Sequence, residues 1–247
     1  EPLHQITLDV TKAALVIGGG VAGMEAALGV AEQGYQAYLV ERSPRLGGVA
    51  HRLRTTWKGE PVAPYVADLA RKVETHPRVK VLLGTVVKDT TGIIGNFTTT
   101  LASGNGSGSA TVVEHGITIV ATGGKELLPD QYLYGKHPGV MTHLELDEAI
   151  MKGDARVDGS KTTVFIQFVG SRLPERPYCS KTCCTHSLES AVKLKAINPD
   201  MVRAQMEGGF VQGMSTALFE SLQLKEGVLQ NPSFTDYVIP TSADAPR

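Results

Sequence analysis

The stretch Ala13–Glu41, AALVIGGGVAGMEAALGVAEQGYQAYLVE, decides the fold. Residues 13–17 form a short apolar run with β-branched members, which is how a strand buried on both faces reads. GGGVAG follows, with Gly18, Gly20 and Gly23 in the positions of G-x-G-x-x-G. The first glycine permits the tight turn, the second lets backbone approach a pyrophosphate, and the third lets a helix pack close to the strand. Val21 and Ala22 sit between the last two glycines and open that helix. Ala27, Val30 and Ala31 give it an apolar stripe, and Gly34 supplies the stop. A second strand, 35–41, ends on Glu41, about 20 residues past the glycines, where a carboxylate accepts ribose hydroxyls. A ribose phosphate would be repelled there, so NADP is disfavoured. The candidate dinucleotide residues on this stretch are therefore Gly18, Gly20, Val21, Ala22, Gly23 and Glu41, with the adjoining Arg42.

Composition narrows the rest. Apolar residues make up 42% and charged residues 20%, ordinary values for a globular chain. A net charge of −1 gives no electrostatic reason to expect nucleic acid or an acidic membrane as a partner. No apolar run reaches the ~18 residues of a membrane span. The start, EPLHQITLDVTK, has neither the basic nor the apolar region of a signal peptide and reads as a chain entered midway. Three cysteines crowd into residues 179–184, which suggests a reducing compartment and a cytoplasmic location.

Downstream of Glu41, RSPRLGG places Gly47 and Gly48 where flavoproteins resembling this pattern approach the flavin end of FAD. VKVLLGTVV reads as strand, turn, strand, and Val86 and Val87 fall where the flavoprotein chain runs along the adenine. Residues 96–124 read as a β-meander: Thr98–Leu101 and Thr111–Glu114 flank a Gly/Ser/Asn loop. ITIVATGG then closes as a buried strand, ending on Ala121, Thr122 and Gly123. The set resembles two-dinucleotide flavoproteins of the thioredoxin-reductase type. This implies an α/β chain with a Rossmann-like FAD-binding domain, a parallel sheet plus β-meander, followed by an incomplete second nucleotide-binding half. Thr142 and Glu145 form a capping box for a helix stopped by Gly153.

Residues 1 to about 200 resemble the A subunit of heterodisulfide reductase. The carrying stretches are the opening motif, IVATGG, YLYGKHPGVMTHLELDEAI and FVGSRLPERPYCSKTCCTHSLESAVKLKAINPD. The resemblance implies an FAD-binding electron-transfer subunit of a multi-subunit oxidoreductase, with other redox subunits and iron–sulfur electron carriers as partners. It also implies a [4Fe–4S] site at Cys179, Cys183 and Cys184, its fourth ligand replaced by Phe168 at the end of a strand TVFIQFVG. His186, a partner's cysteine, water or a three-iron cluster are the ways to complete such a site; reduced thiols without metal are the plain alternative. Cys183 and Cys184 open a helix with Leu188, Ala191 and Val192 on its buried stripe, and the helix start favours thiolates.

After Asp200 the resemblance changes. Gln205, Gly208, Gly209, Gln212 and Gly213, then Asn231, Asp236, Tyr237, Pro240 and Thr241, are similar to the molybdenum-binding subunit of xanthine dehydrogenase and aldehyde oxidoreductases. The family's glutamate base lies in a motif this chain lacks, so no molybdenum cofactor is expected. Phe210, Met214, Ala217, Leu218 and Ser221 fall at helical spacing. The expected divisions are 1–150, an FAD-binding domain; 151–200, the start of a second half with the cysteine helix; and 201–247, the unrelated tail. His51 and His76 stand isolated, no C-x-x-C pair exists, and no catalytic residue is assigned. The leading function is an FAD-dependent oxidoreductase component. The alternatives are an NAD-binding Rossmann module and a degenerate assembly subunit.

Overall fold

The computed structural model describes residues 9–104, 108–171, 173–180 and 182–199, and the backbone of 224–225 and 228–229. The chain divides into two compact units, Glu1–Leu128 and Pro129–Arg247. In the first, β1 (Ala13–Ile17), α1 (Val21–Glu32) and β2 (Gln36–Val40) are followed by a 3₁₀ turn (Gly48–Arg52), α2 (Val62–Thr75) and β3 (Val79–Leu82). Then come β4 (Thr85–Ile93), β5 (Asn96–Ser103), β6 (Ala110–His115) and β7 (Ile117–Val120). The order β3-β2-β1-β7 is a wholly parallel sheet, and β4-β5-β6 form a separate antiparallel sheet. This is the α/β, Rossmann-like arrangement with its meander.

Both faces of β1 are covered, which is why its sequence is apolar throughout rather than alternating. Val16 faces the helical side and packs in one cluster with Met24, Ala27, Leu39, Val66 and Val73. Leu15, its neighbour, points the other way and clusters with Val40, Leu101 and Val113, two of them from the meander. Burying such a side chain removes it from water at a gain of roughly 1.5–3 kcal/mol, so the two layers fix the sheet between them. β5 and β6 pair as the two expected arms of the meander, with Thr98 opposite Glu114 and Leu101 opposite Thr111.

A polar pair, His115 and Thr99, is sealed into the meander. His115 is fully buried, stacks on Phe97 at 5.6 Å, and bonds Thr99 Oγ1 at 2.8 Å and the Ile117 carbonyl at 3.0 Å. Burial pushes its pKa down from 6.5, against the opposing pull of the Ile117 carbonyl. The native state therefore prefers neutral His115, and the unfolded chain binds the proton more readily. Its stabilising contribution is present above pH 6.5 and is lost as pH falls through the lower folded value. Thermal melts from pH 7.5 downward should show a steeper decline for the native chain than for His115→Asn. Parallel declines would remove His115 as a cause.

The second unit contains α3 (His143–Lys152), α4 (Ala155–Asp158), α5 (Cys183–Ile197) and a two-residue antiparallel pair, β8 (Leu224–Lys225) with β9 (Val228–Leu229). The capping box forms as expected: Thr142 Oγ1 accepts from Glu145 N, and Glu145 Oε2 accepts from Thr142 N at 2.8 Å. Gly153 closes the helix with φ of 62°. α3 packs Leu146 and Ala149 with Val157, Ala191 and Leu194, within the unit that starts at Pro129.

Two expectations fail here. The strand over 163–170 does not form; residues 163–168 lie in no regular element and 169–170 form a turn. A strand needs a neighbour, and the second unit offers none beside it among the described residues. The buried face of α5 is also rotated from the one expected. Ser187, Ser190, Ala191 and Leu194 point inward, while Leu188 and Val192 are 58% and 59% exposed. Ser187 tolerates that face because it is tied to His143, whereas Ser190 Oγ is buried there without a hydrogen-bond partner among the described residues. The helix expected over 210–221 and the tail signature lie outside the described residues.

Candidate functional site

The glycines of the first motif each answer to a different neighbour. Gly18 has φ of 110°, and a Cβ there would lie 2.3 Å from the Ala121 carbonyl oxygen. The end of β1 thus runs against the exit of β7, the ATGG segment. A Cβ on Gly23 would lie 1.8 Å from the Gly18 carbonyl oxygen, so α1 can pack this close only with glycine there. Gly19, a position the motif leaves open, is also fixed: its Cβ would meet Leu46 Cδ2 and Glu41 Cβ. At Gly20 a Cβ would meet nothing within 4 Å. The same holds for Gly123 and Gly124. Steric crowding therefore explains Gly18 and Gly23 but not Gly20, whose small size leaves space open to a ligand.

The loop after β2 folds back on this cradle. Gly47 N donates to the Gly19 carbonyl at 2.7 Å, and Gly20 and Gly47 form an isolated parallel bridge. Gly48, at φ of 54°, has its Cβ direction 3.3 Å from Gly20 Cα. α1 begins at Val21 on an N-cap, Gly20, that offers no side-chain acceptor, and its first turn has no acidic residue. The dipole's positive end and the first N–H groups, including those of Val21 and Ala22, are thus available to an anion.

Glu41 is 7% exposed and uses both carboxylate oxygens. Oε2 accepts from Gly19 N at 2.6 Å, and Oε1 accepts from Ser43 N at 2.7 Å. Burial pushes its pKa up, but the Ser43 and Gly19 N–H groups, the Ser43 hydroxyl and the Arg42 charge outweigh it, and the carboxyl titrates below its usual value. So Glu41 is ionised and already organises the loop. With the Ser43 hydroxyl, three of the carboxylate's four lone-pair sites are engaged, which leaves one for a ribose hydroxyl. Thr85 N donates to the Glu41 carbonyl at 2.9 Å, which brings the start of β4, and with it Val86 and Val87, up to this end of the cradle. Arg42 is exposed. The motif, Glu41, Arg42, Gly47–Gly48, Val86–Val87 and Ala121–Gly123 all belong to one unit.

Comparison with known proteins gives the family. Residues 14–163, more than half of the chain, match the family model described as FAD dependent oxidoreductase. The chain belongs to that family. This FAD dependent oxidoreductase is 29% identical to an iron-sulfur A subunit of the CoB–CoM heterodisulfide reductase of Methanopyrus kandleri, over 78% of its own length and 43% of the relative's. It is 28% identical to the iron-sulfur A subunit of the CoB–CoM heterodisulfide reductase of Methanocaldococcus jannaschii, over 81% of its own length and 44% of the relative's. It therefore spans under half the length of these relatives. Among solved structures, the L-proline dehydrogenase from P. horikoshii matches with a TM-score of 0.44 at 21% identity, covering 60% of this chain and 30% of that one. Residues 195–246 match a second family model, the molybdopterin cofactor-binding domain, as the tail's sequence implied.

The cysteine region of the oxidoreductase carries three free thiols, Cys179, Cys183 and Cys184. None of the three cysteines is in a disulfide. Among the described residues, no group of three or more His, Cys, Asp or Glu side chains is placed to hold a metal ion. Cys183 heads α5, yet its thiol is pushed up, first by burial and then by the neighbouring Cys184 and Cys179. Desolvation and like charge overcome the helix dipole here, so the expected thiolate is not favoured. Phe168 is 41% exposed with φ of 63°, a left-handed conformation rare for a bulky residue. Its neighbour Gln167 donates from Nε2 to Ser187 Oγ, which in turn bonds the Cys183 carbonyl at 2.9 Å. The 162–168 segment thus ends beside the first turn of α5.

Behind the cysteines lies a polar cluster that no sequence pattern announced. Asp147, fully buried, bonds His186 Nε2 at 3.0 Å, and His143 Nε2 lies 2.7 Å from Ser187 Oγ. The two imidazoles are 5.3 Å apart, and His143 stacks on Phe165. His186 is thus engaged by a carboxylate from α3. Residues 39 and 44 positions apart carry no periodic signal, so only the packing of α3 on α5 reveals the pairs.

Proposed function

We propose that this chain is the FAD-binding, electron-transferring part of a heterodisulfide-reductase-like oxidoreductase, working with other redox subunits and iron–sulfur carriers in the cytoplasm. The observation that carries the reading is Gly20: its Cβ direction is open in a cradle where Gly18 and Gly23 are held by contact. The cradle suits a dinucleotide pyrophosphate on the start of α1, Glu41 on the ribose, and Gly47, Gly48 and Ala121–Gly123 towards the flavin. Bound FAD would supply the redox chemistry, exchanging electrons in ones or pairs. The chain's own part is to bind it, to orient it, and through ionised Glu41 to refuse a phosphorylated ribose. The relatives' names tie those proteins to heterodisulfide reduction; the carry-over to this chain rests on the likeness over its first 200 residues. Equilibrium binding tests the specificity: the protein should take FAD and discriminate against dinucleotides bearing a ribose phosphate. Equal affinity for both would remove the role assigned to Glu41.

The cysteine trio, by the same likeness, is proposed as a cluster site that has lost one ligand. Its present arrangement does not suit a cluster, so no electron step is assigned to it. After anaerobic reconstitution the protein should hold well below the iron of a [4Fe–4S] cluster, and Phe168→Cys should hold more. Full occupancy in the unaltered chain, or no gain in the variant, would defeat the lost-ligand reading.

A further inference from the structure

Two walls of the cradle are tied by one ion pair. Arg52 closes the 3₁₀ turn that starts at Gly48, beside Gly20. Glu126 lies two residues beyond Gly124 on the exit from β7. Arg52 Nη1 donates to Glu126 Oε2 at 2.9 Å across 74 positions of sequence. The side chains are 35% and 18% exposed. Asp68 pairs with Arg71 and Lys72 across successive turns of α2. Arg52–Glu126 instead joins separate segments.

The exit segment depends on this contact. Ala121 N donates to the Ile17 carbonyl, and that is the last backbone hydrogen bond before residue 129 among the described residues. Thr122–Lys125, Leu127 and Leu128 are exposed; Glu126 turns inward. Gly123 and Gly124 have open Cβ directions, as Gly20 does. A segment with exposed glycines and no ladder would otherwise move freely beside the ligand space.

We propose that the Arg52–Glu126 ion pair retains the bound dinucleotide, by holding the 121–126 exit against the 48–52 turn so that the two glycine walls stay together. The proposal rests on the FAD reading and adds two residues to it. Both act on FAD through the segments they fix and are positioning residues. Breaking the pair frees the wall, and FAD leaves faster. The charge matters more than the identity at either end, so exchanging the two charges restores retention.

The test uses the full chain, loaded with FAD. Release is followed by flavin fluorescence after dilution, for the unaltered protein, Arg52→Ala, Glu126→Gln and the double exchange Arg52→Glu with Glu126→Arg. Each single variant should release FAD about fivefold faster, the upper range for a half-exposed pair. The double exchange should return towards the original rate, and added salt should narrow the differences. Melting of the FAD-free proteins is measured alongside, and Glu126→Gln, which removes the charge but keeps the size, guards against misfolding. Unchanged release in both single variants, or no recovery in the double exchange, overturns the proposal while leaving FAD binding intact. Failure of the unaltered protein to bind FAD overturns the FAD reading itself, and the proposal with it.

Discussion

Gly20→Val should empty the protein of flavin while leaving its fold in place. The backbone at Gly20, φ −74° and ψ −179°, is open to any residue, and a Cβ there touches nothing within 4 Å. The fold thus has no objection beyond a poorer N-cap, worth under about 1 kcal/mol. The valine would instead stand where the pyrophosphate should pass. Losing two or more charge-assisted hydrogen bonds, at about 1.5–3 kcal/mol each, weakens FAD binding by more than about 100-fold. Gly23→Ala is the contrasting variant, because its methyl would have to sit 1.8 Å from the Gly18 carbonyl oxygen. That change should damage the fold first and the cofactor second. Equal flavin content in Gly20→Val and the unaltered chain would mean the open direction is not the ligand's.

Glu41→Ala should lower both stability and FAD affinity. Both carboxylate oxygens accept backbone N–H groups, the buried one of Gly19 and the partly buried one of Ser43. Removing them leaves two donors without their acceptor, at a cost to folding of about 1.5–3 kcal/mol for a charged hydrogen bond, and more if neither donor finds water. FAD affinity should fall by a similar increment through the lost ribose contact. Glu41→Gln is no rescue, since its amide offers one acceptor and one N–H where two acceptors are needed. The folded-state pKa lies below 4.5, so the contribution is present above that pH and is lost as pH falls through the folded value. Chemical denaturation at neutral pH checks the size; an Ala variant as stable as the parent would show that the carboxylate does not organise the loop.

Much of the cradle was legible in the sequence because Gly18, Gly23 and Glu41 lie within one strand–helix–strand unit, where Gly23 answers to Gly18 and Glu41 to Gly19 and Ser43; the contact of Gly18 with Ala121 comes from outside that unit. The parallel sheet was legible for the same reason: a continuous apolar run at 13–17 needs cover on both sides. The strand TVFIQFVG was expected from the resemblance, and no neighbour pairs with it among the described residues. The face of α5 was misread because Ser187 and Ser190 are buried where polarity pointed outward. Arg52 and Glu126 had no signal at all, being ordinary charges 74 residues apart. Contacts of that kind depend on how finished elements pack, which local pattern does not encode.

The central claim, that this cradle holds FAD, is tested most directly by the visible absorption spectrum of the purified protein, with the released nucleotide identified after heat denaturation. The account predicts the bands of a bound flavin and FAD in amounts approaching one per chain. A colourless protein that takes up no FAD on reconstitution, or that binds NAD in its place, would contradict it.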